Sequence, residues 1–303
     1  MRLIFSMLVI VAAVATAPGQ EQKGAVNKAS ASPADSTAPA ITPVSLPGAE
    51  TFIYREGQPD PMRLHVFKPK DWKTGDRRPA LVFFFGGGWT KGTPERAASY
   101  AKWAATLGMV GVAPDYRTHE RFGTSPLESV ADGRAALRWV QDHGAELGID
   151  PRRIVVGGSS AGGHVALWTA IEHTPPGSNA KEAPRTKPFA LVLVSPVSDT
   201  SSATGYTPKR FGENTDALSP VHQLDATMPP VLVFHGDADP TVTNRQSIVL
   251  EQKLTASGNV CQRINVPGGG HGFQTQFPEW KEKSRALMVE FLTQQGVLPV
   301  AAK

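Results

Sequence analysis

Three short stretches carry side chains able to do covalent chemistry together. The first is Gly158-Ser159-Ser160-Ala161-Gly162-Gly163-His164, a G-x-S-x-G pattern preceded by the β-branched run Arg153-Ile154-Val155-Val156. A strand that turns sharply into a helix strains its backbone at the central serine, and small neighbours at Gly158 and Gly162 let the two elements pass closely. Ser160 then stands at a helix N-terminus, where unpaired N–H groups favour negative charge. The N–H of Ala161 is placed to receive an oxyanion. A serine hydroxyl is a poor nucleophile until a base takes its proton, and an imidazole base needs an acid to fix its tautomer. Pro267-Gly268-Gly269-Gly270-His271-Gly272 offers the base, on a glycine-rich loop able to carry the ring back over Ser160. His235-Gly236-Asp237-Ala238-Asp239 offers two carboxylates, Asp237 and Asp239.

A fourth stretch bears on charge stabilisation. Gly86-Gly87-Gly88-Trp89 follows the apolar run Ala80 to Phe85. Bare backbone N–H groups at the carboxyl edge of a central strand suit an oxyanion loop. Trp89 beside them either stacks on a substrate ring or caps the core. Four other histidines read as structural. His65 lies inside an early strand and His143 ends a helix. His164 sits one turn into the helix after Ser160, and His235 orders the aspartate loop.

These residues need a scaffold that brings distant loops to one edge. Short apolar runs at Thr51–Tyr54, Met62–Phe67, Ala80–Phe85, Met109–Ala113, Ile154–Val156, Phe189–Val194, Pro230–His235 and Gln262–Val266 read as strands. Helical spacing over Pro94–Leu107, Pro126–His143, Thr243–Ala256 and Pro278–Gln294 alternates with them. That alternation predicts an α/β fold with a mostly parallel central sheet and helices on both faces. Residues 173–187 and 199–227 lack a clear period; the second reads as loops or a small cap over the site. Asp115-Tyr116-Arg117 reads as a buried Asp–Arg brace or as a substrate contact.

Composition narrows the rest. The chain has 303 residues, 40% hydrophobic and 19% charged, with net charge +4. No basic cluster is interleaved with aromatics, so a nucleic-acid partner is not expected. A single cysteine, Cys261, permits no intrachain disulfide and no cysteine metal site. Met1-Arg2 and the apolar run to Ala17 resemble a secretory signal peptide over residues 1–19, too short to span a bilayer comfortably. Residues 20–48, rich in Ala, Ser, Thr and Pro, read as a disordered linker. Residues 49–298 form the catalytic domain in this reading, exported or periplasmic, without a stable membrane anchor.

Taken together, these motifs resemble the α/β-hydrolase superfamily. Within it they are similar to secreted carbohydrate esterases, acetyl xylan and feruloyl, related to hormone-sensitive-lipase-type carboxylesterases. The resemblance implies Ser160 as nucleophile, Asp239 rather than Asp237 as orienter, and His271 as base. It implies N–H donors at Gly87, Gly88 and Ala161, no metal or organic cofactor, and an acetyl or feruloyl ester, small or on polysaccharide, as substrate. One position departs: Phe85 stands where such relatives carry a histidine. Two alternatives stay open. A prolyl-oligopeptidase-type peptidase shares the motifs, though no room exists for a preceding propeller. An inactive, carbohydrate-binding hydrolase fold has only Phe85 in its favour.

Overall fold

A computed structural model describes residues 43–57, 60–176 and 178–300. The signal-peptide reading and the linker as far as residue 42 lie outside these. Leu46 is buried against the core, so ordered packing begins a few residues before position 49.

The strands are β1 Glu50–Arg55, β2 Met62–Phe67, β3 Arg78–Phe84, β4 Val110–Pro114, β5 Ile149–Ser159, β6 Ala190–Val194, β7 Val231–Gly236 and β8 Cys261–Val266. They pair in the order β1-β2-β4-β3-β5-β6-β7-β8. β2 is antiparallel to both its neighbours, and β4 through β8 run parallel. The continuous apolar runs of β6 and β7 are buried throughout, as strands covered on both faces must be. Edge strand β8 is mostly half-buried, and Cys261 lies on it with a thiol pushed up to about 12 by burial.

Four long helices match the sequence pattern closely: α1 Glu95–Thr106, α3 Pro126–Asp142, α6 Arg245–Ala256 and α8 Pro278–Gln294. Three single turns were not anticipated: α2 His119–Phe122, α4 Gly144–Leu147 and α7 Phe273–Gln276. Four residues are too few to show a helical period. α5, Ala161–Ala170, follows the Ser160 turn and is buried on every side. Successive side chains of a strand face opposite ways. On β3, Phe83 stacks on Tyr100 of α1 at 3.8 Å. Phe84 reaches towards Gly133 of α3 from the other face. α1 and α3 therefore cover opposite faces of the sheet.

α3 begins with a capping box. Ser125 and Glu128 exchange hydrogen bonds between side chain and backbone, with Pro126 at the first helical position. The segment from Asp199 to Thr227 contains two 3-10 stretches, Pro208–Asn214 and Pro220–His222. Asp199 organises it, accepting from Ser201 N, Thr204 Oγ1 and Ser219 Oγ.

Candidate active site

Ser160 sits between β5 and α5 with φ 54° and ψ −121°. Few non-glycine residues adopt such a backbone, and it persists only where surroundings enforce it. Here they do. Ser160 N donates to Val194 O of β6 at 3.0 Å, and Ser160 O accepts from Gly163 N and Val197 N. A Cβ at Gly158 would stand 2.2 Å from Gly162 O, and one at Gly162 would stand 2.3 Å from Phe85 O. Both glycines are thus required by close approach of strand, helix and the β3 loop. Ala161 opens α5, so its N–H has no partner within the helix.

His271 and Asp239 meet across two loops. His271 Nδ1 lies 2.7 Å from Asp239 Oδ2. The other carboxylate oxygen accepts from Thr241 N and Val242 N, both at 2.9 Å. Burial alone would raise the Asp239 pKa. Hydrogen bonds from His235, His271 and the Val242 N–H outweigh burial and hold the carboxyl well below its usual range. Asp239 is therefore a carboxylate at any ordinary pH. The contact fixes His271 Nδ1 as the protonated nitrogen and leaves Nε2 as the basic one.

The rival carboxylate has another task. Asp237 accepts from Gly268 N at 2.7 Å and from Asn265 Nδ2 at 2.9 Å, so it holds the start of the histidine loop. His235 is fully buried, its Nε2 2.7 Å from Val242 O, which fastens the aspartate loop from beneath. Three further histidines are structural. His164 Nε2 bonds Leu218 O at 2.9 Å, and burial lowers its pKa to about 4. His65 Nδ1 lies 2.9 Å from Thr51 Oγ1, and His143 stacks on Trp139 at 3.8 Å.

Ser160, His271, Gly87 and Gly88 line one open cleft of about 580 Å³. Gly87 has φ +156° and Gly88 φ +62°. A Cβ at Gly87 would lie 1.7 Å from Lys91 O, so no other residue fits there. The Gly87 carbonyl accepts from Thr90 N and Lys91 N, and Arg96 Nη1 donates weakly to Gly86 O at 3.4 Å. Both carbonyls belong to the peptide units that carry the Gly88 and Gly87 N–H groups. Hydrogen bonding at the carbonyl end polarises those N–H donors.

Trp89 is a correction. Its side chain is 1% exposed and packs edge-on against His164 and Phe211. It braces the wall of the site and offers no face to a substrate ring. Asp115-Tyr116-Arg117 is a brace, but with different partners from those expected. Asp115 accepts a two-pronged pair from Arg121, and Arg117 donates one to buried Asp132. Arg96, Ser195, Tyr206, Thr241 and Thr275 also stand on the cleft wall, outside the predicted site residues. Only Ser195, at the end of an apolar run, carried any sequence signal, because strand ends at this edge meet the site.

Among the described residues no group of three or more His, Cys, Asp or Glu could hold a metal ion. No described helix is long and apolar enough to cross a membrane.

Several known proteins similar to this chain are named esterases. The BD-FAE family matches residues 64–204 and 195–254. A thermophilic esterase of Thermogutta terrifontis, Est2, is 35% identical; the match covers 85% of this chain and 96% of that one, with TM-score 0.78. The same enzyme has been solved with butyrate bound and phosphonylated by sarin. Esterase LipQ of Mycobacterium tuberculosis is 27% identical over 228 residues, 69% of this chain and 54% of that one. Esterase LipC of the same organism is 27% identical over 71% of this chain and 58% of its own length. The chain thus spans little more than half the length of these curated relatives. The chain belongs to the BD-FAE family and has the α/β-hydrolase fold.

Proposed function

We propose that this BD-FAE family member is a carboxylic ester hydrolase working through an acyl-enzyme on Ser160. The observation that carries the reading is the 2.7 Å contact of Asp239 with His271, on the same rim of the sheet as a strained Ser160. In the first half-reaction His271 Nε2 takes the Ser160 proton while Oγ attacks the ester carbonyl. Asp239 stabilises the imidazolium that forms. The N–H groups of Gly87, Gly88 and Ala161 receive the carbonyl oxygen as it becomes an oxyanion; each such donor is typically worth about 10²–10³ in turnover. His271 then returns its proton to the departing alcohol. Water repeats the sequence in reverse roles and frees the acid and Ser160.

The proposed acyl group is acetyl or feruloyl, and a small one has support from a similar enzyme. Butyrate in the Thermogutta terrifontis enzyme supports that size. Feruloyl transfer and a polysaccharide alcohol remain part of the proposal through the resemblance of the motifs. Export rests on the apolar run at residues 1–19. The test is hydrolysis of p-nitrophenyl acetate and methyl ferulate by wild type and Ser160→Ala. The variant should keep the wild-type circular dichroism spectrum and lose turnover on both. Retained turnover in the folded variant would overturn the mechanism.

A further inference from the structure

We infer that the preferred ester carries a carboxylate close to the scissile bond, and that Lys209 and Arg210 recognise it in a second pocket beyond the glycine loop. The inference rests on the esterase reading and names its substrate class.

The second pocket has a volume of about 380 Å³, within the range of small-ligand sites. Gly88 lines both it and the catalytic cleft. Arg210 stands at the boundary, its Nη1 donating to Gly88 O at 2.6 Å. Lys209 lies beside it on the same wall. No Asp or Glu lines either hollow, and Arg96 is the one side chain of fixed charge in the catalytic cleft. This is not the chain's general composition, which has 31 Lys and Arg against 27 Asp and Glu. Nor is it how other arginines near the site behave: Arg117 and Arg121 are each clamped by a carboxylate. Among the described residues, Lys209, Arg210 and Arg96 have no carboxylate within ion-pair distance. Glu128, in the first turn of the helix that begins at the lining residue Pro126, already accepts from Ser125 N and Oγ.

The wall also holds unspent hydrogen-bonding groups. Trp89 Nε1 is buried, in a side chain 1% exposed, with no partner. Thr124 Oγ1, on the same wall, is likewise buried without one. Buried polar groups are almost always satisfied, and exceptions point to a missing partner. An N–H donor, a hydroxyl and two cations without a carboxylate partner share one complement, an anionic oxygen group, which forms strong charge-assisted bonds. A pocket that meets the cleft at Gly88 would place that group within a few bonds of the ester. Cation-lined hollows also concentrate anionic ligands.

Two matched ester pairs test this on the full chain. With charge on the acid side, mono-p-nitrophenyl adipate is compared with p-nitrophenyl hexanoate. With charge on the alcohol side, p-(carboxymethyl)phenyl acetate is compared with p-ethylphenyl acetate. The charged member of at least one pair should be favoured in kcat/KM by roughly tenfold, the lower end of what charge-lined clefts achieve. That ratio should fall towards one in the Lys209→Gln/Arg210→Gln variant. Should the double variant fail to fold, salt gives the second readout: raising it from low to high should erode the wild-type preference. Equal rates within both pairs, or a preference indifferent to salt and to the variant, overturn the inference. Hydrolysis of the neutral esters throughout would leave the esterase reading standing; no hydrolysis of any ester would sink both.

Discussion

The ring of Phe85 lies parallel to that of Tyr116, centroids 4.0 Å apart, and Tyr116 Oη donates to the Phe85 carbonyl at 2.8 Å. This pair shows what Phe85 does in the fold. It anchors the start of the glycine loop by stacking and by one buried hydrogen bond. Burial pushes the Tyr116 hydroxyl far above its usual pKa, so it stays a donor. Tyr116→Phe keeps the stack and removes the bond. It should cost about 1 kcal/mol of stability, the usual net worth of such a bond. It should also lower kcat severalfold with little change in KM, because the loop donors act chiefly on the transition state. Denaturant unfolding and steady-state kinetics on p-nitrophenyl acetate check both. An unchanged kcat would show that the loop is held by other contacts.

The two carboxylates of the aspartate loop should separate cleanly. Asp239→Asn cannot accept the His271 Nδ1 proton as a carboxylate does, and an amide there favours the wrong tautomer. Turnover should drop by about 10³–10⁴, as for the equivalent change in other triads. Asp237→Asn keeps an acceptor for Gly268 N, and its effect should stay within about tenfold, a change of some 1.4 kcal/mol. Comparable losses in both variants would mean that the orienting role is shared or misassigned.

Buried histidines should make the fold sensitive to mild acid. His164 is depressed to about 4 by burial, against an ordinary value near 6.5. The unfolded chain therefore binds a proton that the folded chain refuses between those pH values. The contribution is fully present above pH 6.5 and is lost as pH falls towards 4. From pH 7 to pH 5 the loss should be on the order of 2 kcal/mol for this residue. His65, lowered to about 4 in the same way, adds to it. Urea unfolding at the two pH values measures the slope. His164→Gln, less stable overall, should show a shallower slope; an identical slope would place the sensitivity elsewhere.

The sheet was legible because its central strands are unbroken apolar runs that nothing but a doubly covered strand would use. β6 begins within one residue of its expected start, and α8 has its expected bounds. The Ser160 turn was legible for a related reason: Gly158 and Gly162 are demanded by backbone contacts of 2.2–2.3 Å, and such demands show as glycine in sequence. What stayed hidden depends on side chains meeting across the fold. The arginines of the brace pair with Asp115 and Asp132 from α2 and the start of the loop before it, a choice that no local spacing encodes. Trp89 had two equal readings in sequence, and tertiary packing against Phe211, far along the chain, decided for the core. Lys209 and Arg210 lie in a segment without period, so nothing but coordinates could bring them beside Gly88.

The most direct test of the account labels the intact protein with a fluorophosphonate and locates the adduct by peptide mass spectrometry. A single adduct on Ser160, formed rapidly in wild type and nearly absent in His271→Ala, is the predicted result. An adduct at another residue, or none in a protein that still hydrolyses esters, would contradict it.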